Sequence, residues 1–536
     1  MAGNIQIPPE STGPRVATIQ YYVLDFDTQT SEFAVNDAIT GATSGATATV
    51  VGVTHEGYAA NAGRLYLKDV TGTFEDNENI QVSAITYAVS DTSTTSFAEY
   101  SYQQSVITAV NNPTRSLEID SYGSAQITFK DGAPTIGAFG GLKVSEQQII
   151  KEYRFAYSDL SSLFYDDITG GATIARDSNK SVMLLSCPTT SGDAVTRTTH
   201  YYHPYIPGIG QRIEMTIQVG DTGKANVTRR WGYYDDLNGI FWELNGSTVR
   251  LGLRSDTTGS VVTDYVDQSN WSVDKLDGTG ESLFTLDVSK ANIFWIDLQW
   301  LGAGRVRAGV ILSDGSTQVA HIFENANIAN LPYMRTGTLP LRVEQINTGT
   351  SASTSELNWA CGVVKHDSKV DIVGPRYSTD NGDPANVQTS DGNLPIMAIR
   401  PKTTLGGEEN RSIFRFSALD MGNIGDNGLV FRIWATDSTN LTSASFSSIG
   451  PTSGFEKDTS STAIANTTLA KQIASWVVPS NSSKFVQVPT PASVHDIELF
   501  LDADGSTQKA LVVTADNVGS SNTTAWFSVN WMELHH

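Results

Sequence analysis

The residues with the right chemistry for catalysis or ligation are few and scattered. Asp235, Asp236 and Glu243 lie within thirteen residues of aromatic-rich sequence, Trp231 to Glu243. Two carboxylates held across a cleft, one of them desolvated, are what glycoside hydrolysis requires. Adjacent strand residues project to opposite faces, however, and Asp235-Asp-Leu-Asn-Gly239 reads first as a polar hairpin turn. No Glu-x-Asp-x-x-Glu strand of the glucanase kind occurs. His200 and His203 form the one close histidine pair away from the chain's last two residues, and three-residue spacing on a strand sends them to opposite faces, so no shared ion is expected. The terminal His535 and His536 are read as doing nothing. Asp502-Ala-Asp-Gly505 begins like a calcium loop but lacks the third acidic position and the closing glutamate, and is read as a β-turn. Cys187 and Cys361 border apolar strand-like runs and are expected to be two buried free thiols, with a disulfide between them as the alternative. Phosphate loops, nucleophile elbows and paired metalloprotease histidines are all missing from the sequence. The expectation is a chain with no catalytic residue, no metal and no cofactor.

The remaining resource is aromatic: Trp231, Tyr233, Tyr234, Trp242, Trp295 and Trp300. Most alternate in strands as core residues do, while a ring left exposed beside Asn or Asp could stack on a sugar.

The elements that would position these residues follow from composition. Of 536 residues only 17% are charged, and 46 are glycine, a balance that favours β-structure with many turns. The length suits about three or four domains. The formal charge of −22 disfavours nucleic acid and anionic membrane as partners, and no apolar run approaches the ~20 residues of a spanning helix. The first ten residues have neither a basic nor an apolar stretch of the secretory type, so folding in a reducing cytoplasm is expected.

Residues 1–30, with Pro8, Pro9 and Pro14, read as an extended docking arm whose stripe of Tyr21, Tyr22, Leu24 and Phe26 would pack on a partner. Residues 31–95 read as a small β-module with an internal echo, Phe33-Ala-Val-Asn-Asp-Ala-Ile39 against Phe74-Glu-Asp-Asn-Glu-Asn-Ile80, and Ser90 to Ser96 as a linker. A β-rich connector spans 96–140. Residues 141–368 carry dense period-two strand signals separated by Asn245-Gly246, Asp277-Gly278 and Asp314-Gly315 turns, which predict a large lectin-like β-sandwich of jelly-roll type. Within it, Ser145 to Tyr153 is the best helix candidate and Asp314-Gly315 a type I′ hairpin turn. Residues 369–536 predict a second sandwich cored by Ile413–Phe416, Leu429–Trp434, Ile497–Leu501 and Phe527–Trp531. The fold class is therefore all-β, with total helix under ~15%.

Gly140-Gly-Leu-Lys-Val-Ser-Glu146, Arg230 to Gly246, Asp267 to Gly278 and Trp300 to Arg307 together resemble a domain of virion structural proteins from tailed bacteriophages, marine and cyanophage-like ones included. The Gly41–Val51 segment with Gly72-Thr-Phe-Glu-Asp-Asn-Glu78 is similar to another small module of phage particles. The resemblance covers about half the chain and implies membership of a virus particle; it carries over no catalytic residue. With the charge it gives the expected role: a homo-oligomeric exterior appendage, a tail or neck fibre with a trimer favoured. It would bind other virion proteins through the arm and contact host surface glycan. Capsid decoration, or a glycan-degrading or glycan-binding sandwich, are the alternatives.

Overall fold

The computed structural model describes residues 15–17, 21–55, 61–91, 96–98, 104–106, 146–368, 374–487 and 499–534. It divides into two units, 1–128 and 129–536, and is all-β: among the described residues the helical elements are four three-residue 3-10 turns.

The first unit is a closed barrel. Strands Gly63–Thr71, Thr47–His55, Ala38–Gly41, Asn79–Val82, Ile85–Ser90 and Tyr21–Asp27 pair in that order, and Tyr21–Asp27 returns to pair with Gly63–Thr71, so the sheet has no open edge there. The echo in the sequence marks its two corners. Phe33, Ile39, Phe74 and Ile80 all point into the core, and Asn36 and Asn77 both adopt left-handed backbone at φ 76° and 58°. At each corner an acid accepts the backbone N–H three residues earlier, Asp37 from Ala34 (2.7 Å) and Glu78 from Glu75 (2.6 Å). Burial alone would raise the Glu78 pKa, but donors from Ser44, Glu75 and Thr43 outweigh it and hold the carboxyl below its usual range.

This closure corrects the docking-arm boundary. Leu24 and Phe26 lie in the barrel's own core, and Tyr22 packs against it, because their period-two stripe supplies the strand that shuts the sheet. Tyr21 opens that strand. Residues 15–17 pair with 104–106, while the rest of 1–20 lies outside the described residues. The segment read as a linker also begins inside the barrel: the buried Ser90 accepts from the Glu78 N–H, and Ser96–Ala98 pairs with Tyr21–Val23. Most of the 96–140 connector lies outside the described residues.

In the second unit, two sheets make the central sandwich. One runs 173–177, 182–187, 355–366, 211–218, 292–298, 306–311, 317–323; the other runs 164–169, 194–199, 341–347, 227–234, 239–245, 248–255, 262–267. The chain crosses repeatedly between them, as in a jelly roll, and Trp231, Trp242, Trp359 and Phe294 fill the space between. The helix candidate is instead strand Gln148–Arg154, which pairs with the long strand Ser355–His366; that pairing supplies a ladder no isolated turn of helix matches. The Asp314-Gly315 hairpin is not type I′, which needs two left-handed residues. Only Gly315 is left-handed (φ 82°), closing a three-residue loop in which its N–H bonds Leu312 O.

Residues 376–487 and 499–534 form the second sandwich. One sheet orders 376–380, 523–534, 413–424, 482–487, with 385–387 also on 523–534; the other orders 447–448, 455–458, 394–401, 509–517, 429–437, 471–478. Phe414, Phe416, Phe431, Phe527 and Trp531 make its core, as the sequence alternation predicts, while two short strands occupy part of the 378–393 stretch read as loop.

Candidate functional site

Strand Val227–Tyr234 sends Trp231 and Tyr233 into the core and therefore Arg230, Gly232 and Tyr234 to the opposite face of its sheet. Register places Glu243 and Glu344 on either side of Arg230, and Arg250 beyond Glu243. The result is a continuous ladder of alternating charge. Asp236 bonds Arg342 (2.7 Å), Arg342 bonds Glu344 (3.1 Å), Arg230 bridges Glu344 and Glu243 (both 2.5 Å), and Arg250 closes on Glu243 (2.5 Å). Glu243 is fully buried and Glu344 nearly so. Burial alone would depress the Arg230 pKa, but Glu344, Tyr234 and Glu243 outweigh it and raise the guanidinium further.

Aromatic rings support the ladder. Arg250 sits 3.8 Å over Tyr265, and Arg254 5.1 Å over Phe241. Phe241 in turn occupies the space over Gly252, where an added Cβ would stand 2.6 Å from its ring. Tyr234 is buried among Arg342, Arg230 and Arg254, and desolvation pushes its phenol pKa well up.

All three carboxylates singled out in the sequence are thereby accounted for. Asp235 accepts the backbone N–H groups of Leu237 (2.9 Å) and Asn238 (2.7 Å), fixing the hairpin turn predicted there, and burial raises its pKa. Asp236 is exposed and tied to Arg342, and Glu243 is clamped between two guanidiniums. The arginines and Glu344 were missed. Their signal was present in the repeated pattern Arg230-Trp-Gly-Tyr-Tyr and Arg250-Leu-Gly-Leu-Arg254, where arginine and glycine share the face opposite the apolar residues.

His200 and His203 separate, as expected. His203 is wholly buried: its Nδ1 lies 3.0 Å from Leu339 O and its Nε2 3.0 Å from Tyr153 Oη. A carbonyl can only accept, so Nδ1 carries the proton and Nε2 accepts from the phenol. Desolvation lowers its pKa to about 3. His200 instead stacks on Phe500 of the second sandwich (4.4 Å), with Nδ1 3.2 Å from Asp502 Oδ1 but out of line for a hydrogen bond. Burial, then Lys509 and Arg411, lower its pKa to about 4.

This stack belongs to a polar junction between the two sandwiches that the sequence did not disclose. Tyr165 donates to Asp504 (3.1 Å), Arg335 pairs with Glu408 (2.5 Å), and Arg411 lies 4.1 Å over Tyr202. A cavity there is lined by Lys151, His200, Tyr202, Arg411 and Phe500. Burial and the neighbouring carboxylates push the Tyr165 phenol up to about 12. The Asp502–Gly505 segment is the turn it was read as: Gly505 N–H bonds Asp502 O. Among the described residues no cluster of three metal-ligating side chains occurs.

Both cysteines are free, and Cys187 is buried, but Cys361 is exposed, against the expectation of two buried thiols. Its side chain leaves the outer face of strand Ser355–His366, 3.3 Å from Thr216 Oγ1. Of the central aromatics, Trp231, Tyr233, Tyr234, Trp242 and Trp295 are buried, and Trp300 is half-buried with its N–H on Met334 O (3.2 Å).

No family model matches the chain, and no curated protein matches it. Among solved structures it is similar to a protein of unknown function from Shewanella oneidensis MR-1, at 9% identity over 44% of this chain and 94% of that one, TM-score 0.28. A family 16 glycoside hydrolase of Bacteroides ovatus aligns at 8% identity over 40% of this chain and all of that one, TM-score 0.27. A legume lectin-like domain from Entamoeba histolytica aligns at 10% identity over 40% and 96%, TM-score 0.25. Likeness at this level assigns neither ligand nor reaction.

Proposed function

We propose that the chain is a non-enzymatic structural component of a tailed-phage virion, an exterior homo-oligomeric appendage of the tail or neck. The resemblance in the central sequence supports the particle. The observation that supports a non-catalytic reading is the ladder: the carboxylates beside the aromatic strands, buried Glu243 and Glu344 and exposed Asp236, are bonded to guanidiniums, and Asp235 to turn amides, leaving none of them unpaired as a general acid must be. A closed barrel and two sandwiches, the central one braced by buried ion pairs, suit a rigid exterior part better than a cleft that must open and close.

Immunogold labelling of purified particles tests the assignment. Label on tails or necks is expected, and label confined to capsid facets would replace the appendage with a decoration role. Mass photometry of the purified chain is expected to show a trimer. Release of reducing sugar from host envelope polysaccharide would overturn the non-enzymatic reading.

A further inference from the structure

Strand Thr523–Leu534 buries Ala525, Phe527, Val529 and Trp531 and so turns Trp526 outward, where it is exposed. The residue opposite it on the neighbouring strand is Gly422, and the Trp526 side chain lies over that glycine, its Cβ 3.2 Å and its nearest indole atoms 3.8 Å from where a Cβ on Gly422 would stand. One strand further, Phe485 on the edge strand Ser482–Gln487 is 62% exposed. Between and beside the two rings stand Asp420, Ser528 and Thr524, short polar side chains on the same face.

We propose that this outer face of the second sandwich is a binding platform for a neutral glycan. A pyranose ring presents an apolar face of C–H groups to an indole, and its hydroxyls need short donors and acceptors at the rim; Trp526 over Gly422 supplies the first, and Asp420, Ser528 and Thr524 the second. Phosphate and other anions are disfavoured, because the charged member of this group is a carboxylate. A second copy of the chain is disfavoured by area: the two rings expose roughly 200 Å² together, against about 800 Å² per partner in a stable interface. Strand geometry sets the rings two strands and two residues apart, roughly 12 Å between backbones, which suits an extended chain of sugars better than one residue. The platform adds a ligand to the virion reading and does not depend on it.

Native affinity electrophoresis of the full chain in gels containing mixed-linkage β-glucan, xylan or galactomannan, with a microarray of neutral bacterial glycans beside it, tests the platform. Retardation or array binding by at least one neutral glycan is expected, weakened at least tenfold by Trp526→Ala and severalfold by Phe485→Ala, and largely kept by Trp526→Tyr. Near-UV circular dichroism checks that each variant folds; Phe485, on the edge strand, provides the test if Trp526→Ala does not. No binding to any neutral glycan, binding equal in wild type and both alanine variants, or binding confined to anionic polysaccharide would overturn the proposal. A variant that changes the oligomer mass instead would reassign the face to contact between copies. Particles that contain the chain without glycan binding sink the platform alone; glycan binding by a chain absent from particles sinks the virion reading alone.

Discussion

Replacing His203 by glutamine should flatten the pH dependence of stability on the acid side. The imidazole is wholly buried, donates from Nδ1 to Leu339 O and accepts at Nε2 from Tyr153, so the folded protein holds it neutral. Its folded pKa lies near 3, whereas an unfolded chain titrates near the ordinary 6.5. Below pH 6.5 the unfolded state therefore binds a proton that the folded state refuses, and stability falls as the pH drops toward 3. Between pH 7 and 4.5 this amounts to about 2–3 kcal/mol from this one residue. A glutamine amide can offer both a donor and an acceptor without titrating. Urea denaturation of wild type and His203→Gln at pH 7 and 4.5 measures the difference of differences, in which the other buried histidines and the carboxylates cancel. An equal loss of stability in the two proteins would refute the neutral, desolvated assignment of His203.

The ladder should be expensive to break from its middle: Arg230→Met leaves Glu243 and Glu344 each with one guanidinium and is expected to lower unfolding stability by about 3 kcal/mol by chemical denaturation. Leu24→Ala should destabilise the barrel by about 2–5 kcal/mol, whereas a strand merely docked on a partner would leave the isolated chain unaffected. Gly309→Ala would set a Cβ 2.0 Å from Gln318 O and 2.5 Å from the Trp295 ring, and is expected to cost about 1–3 kcal/mol or to prevent folding, read from the thermal midpoint. Thiol titration of the native protein should modify Cys361 rapidly and Cys187 only after denaturation, since Cys187 is enclosed and burial pushes its thiol pKa up.

Local patterns that belong to one strand were legible in the sequence. The core of the second sandwich follows from alternation in Ile413–Phe416 and Phe527–Trp531, and the barrel's corners follow from the Phe–Asn–Ile echo. What failed required knowledge of a distant partner. Gln148–Arg154 is composed of reasonable helix formers and becomes a strand because Ser355–His366, two hundred residues away, offers its edge. Tyr22, Leu24 and Phe26 form a stripe that in sequence points to a neighbouring subunit, yet their neighbour is the strand Gly63–Thr71 of the same barrel. The ladder is the extreme case: Arg230, Glu243, Arg250 and Glu344 arrive from four strands, and only the register shows that they meet.

The charge of −22 has a structural origin that bears on which partners the surface admits. Many of its aspartates sit in turns of the form Asp-x-Ser or Asp-x-Thr, where one carboxylate oxygen accepts both the N–H and the hydroxyl two residues on: Asp277 with Thr279, Asp287 with Ser289, Asp314 with Ser316, Asp504 with Ser506. Those hydrogen bonds hold the carboxyls of Asp277, Asp287 and Asp314 below their usual range, so they stay ionised in mild acid. Arginine is used in the opposite way. Arg197, Arg212, Arg229 and Arg307 have side chains no more than 6% exposed, and Arg230, Arg250 and Arg342 no more than 22%. Acids thus cap the turns in solvent while guanidiniums brace the sheet faces, and the field outside the protein is more negative than a mixed surface of the same net charge would give. Such a field turns away phosphate backbones and anionic lipid but leaves a neutral polyhydroxyl chain indifferent. That fits the platform proposed around the indole of Trp526, where the ring itself is uncharged and the one carboxylate at its rim, Asp420, can bond a hydroxyl.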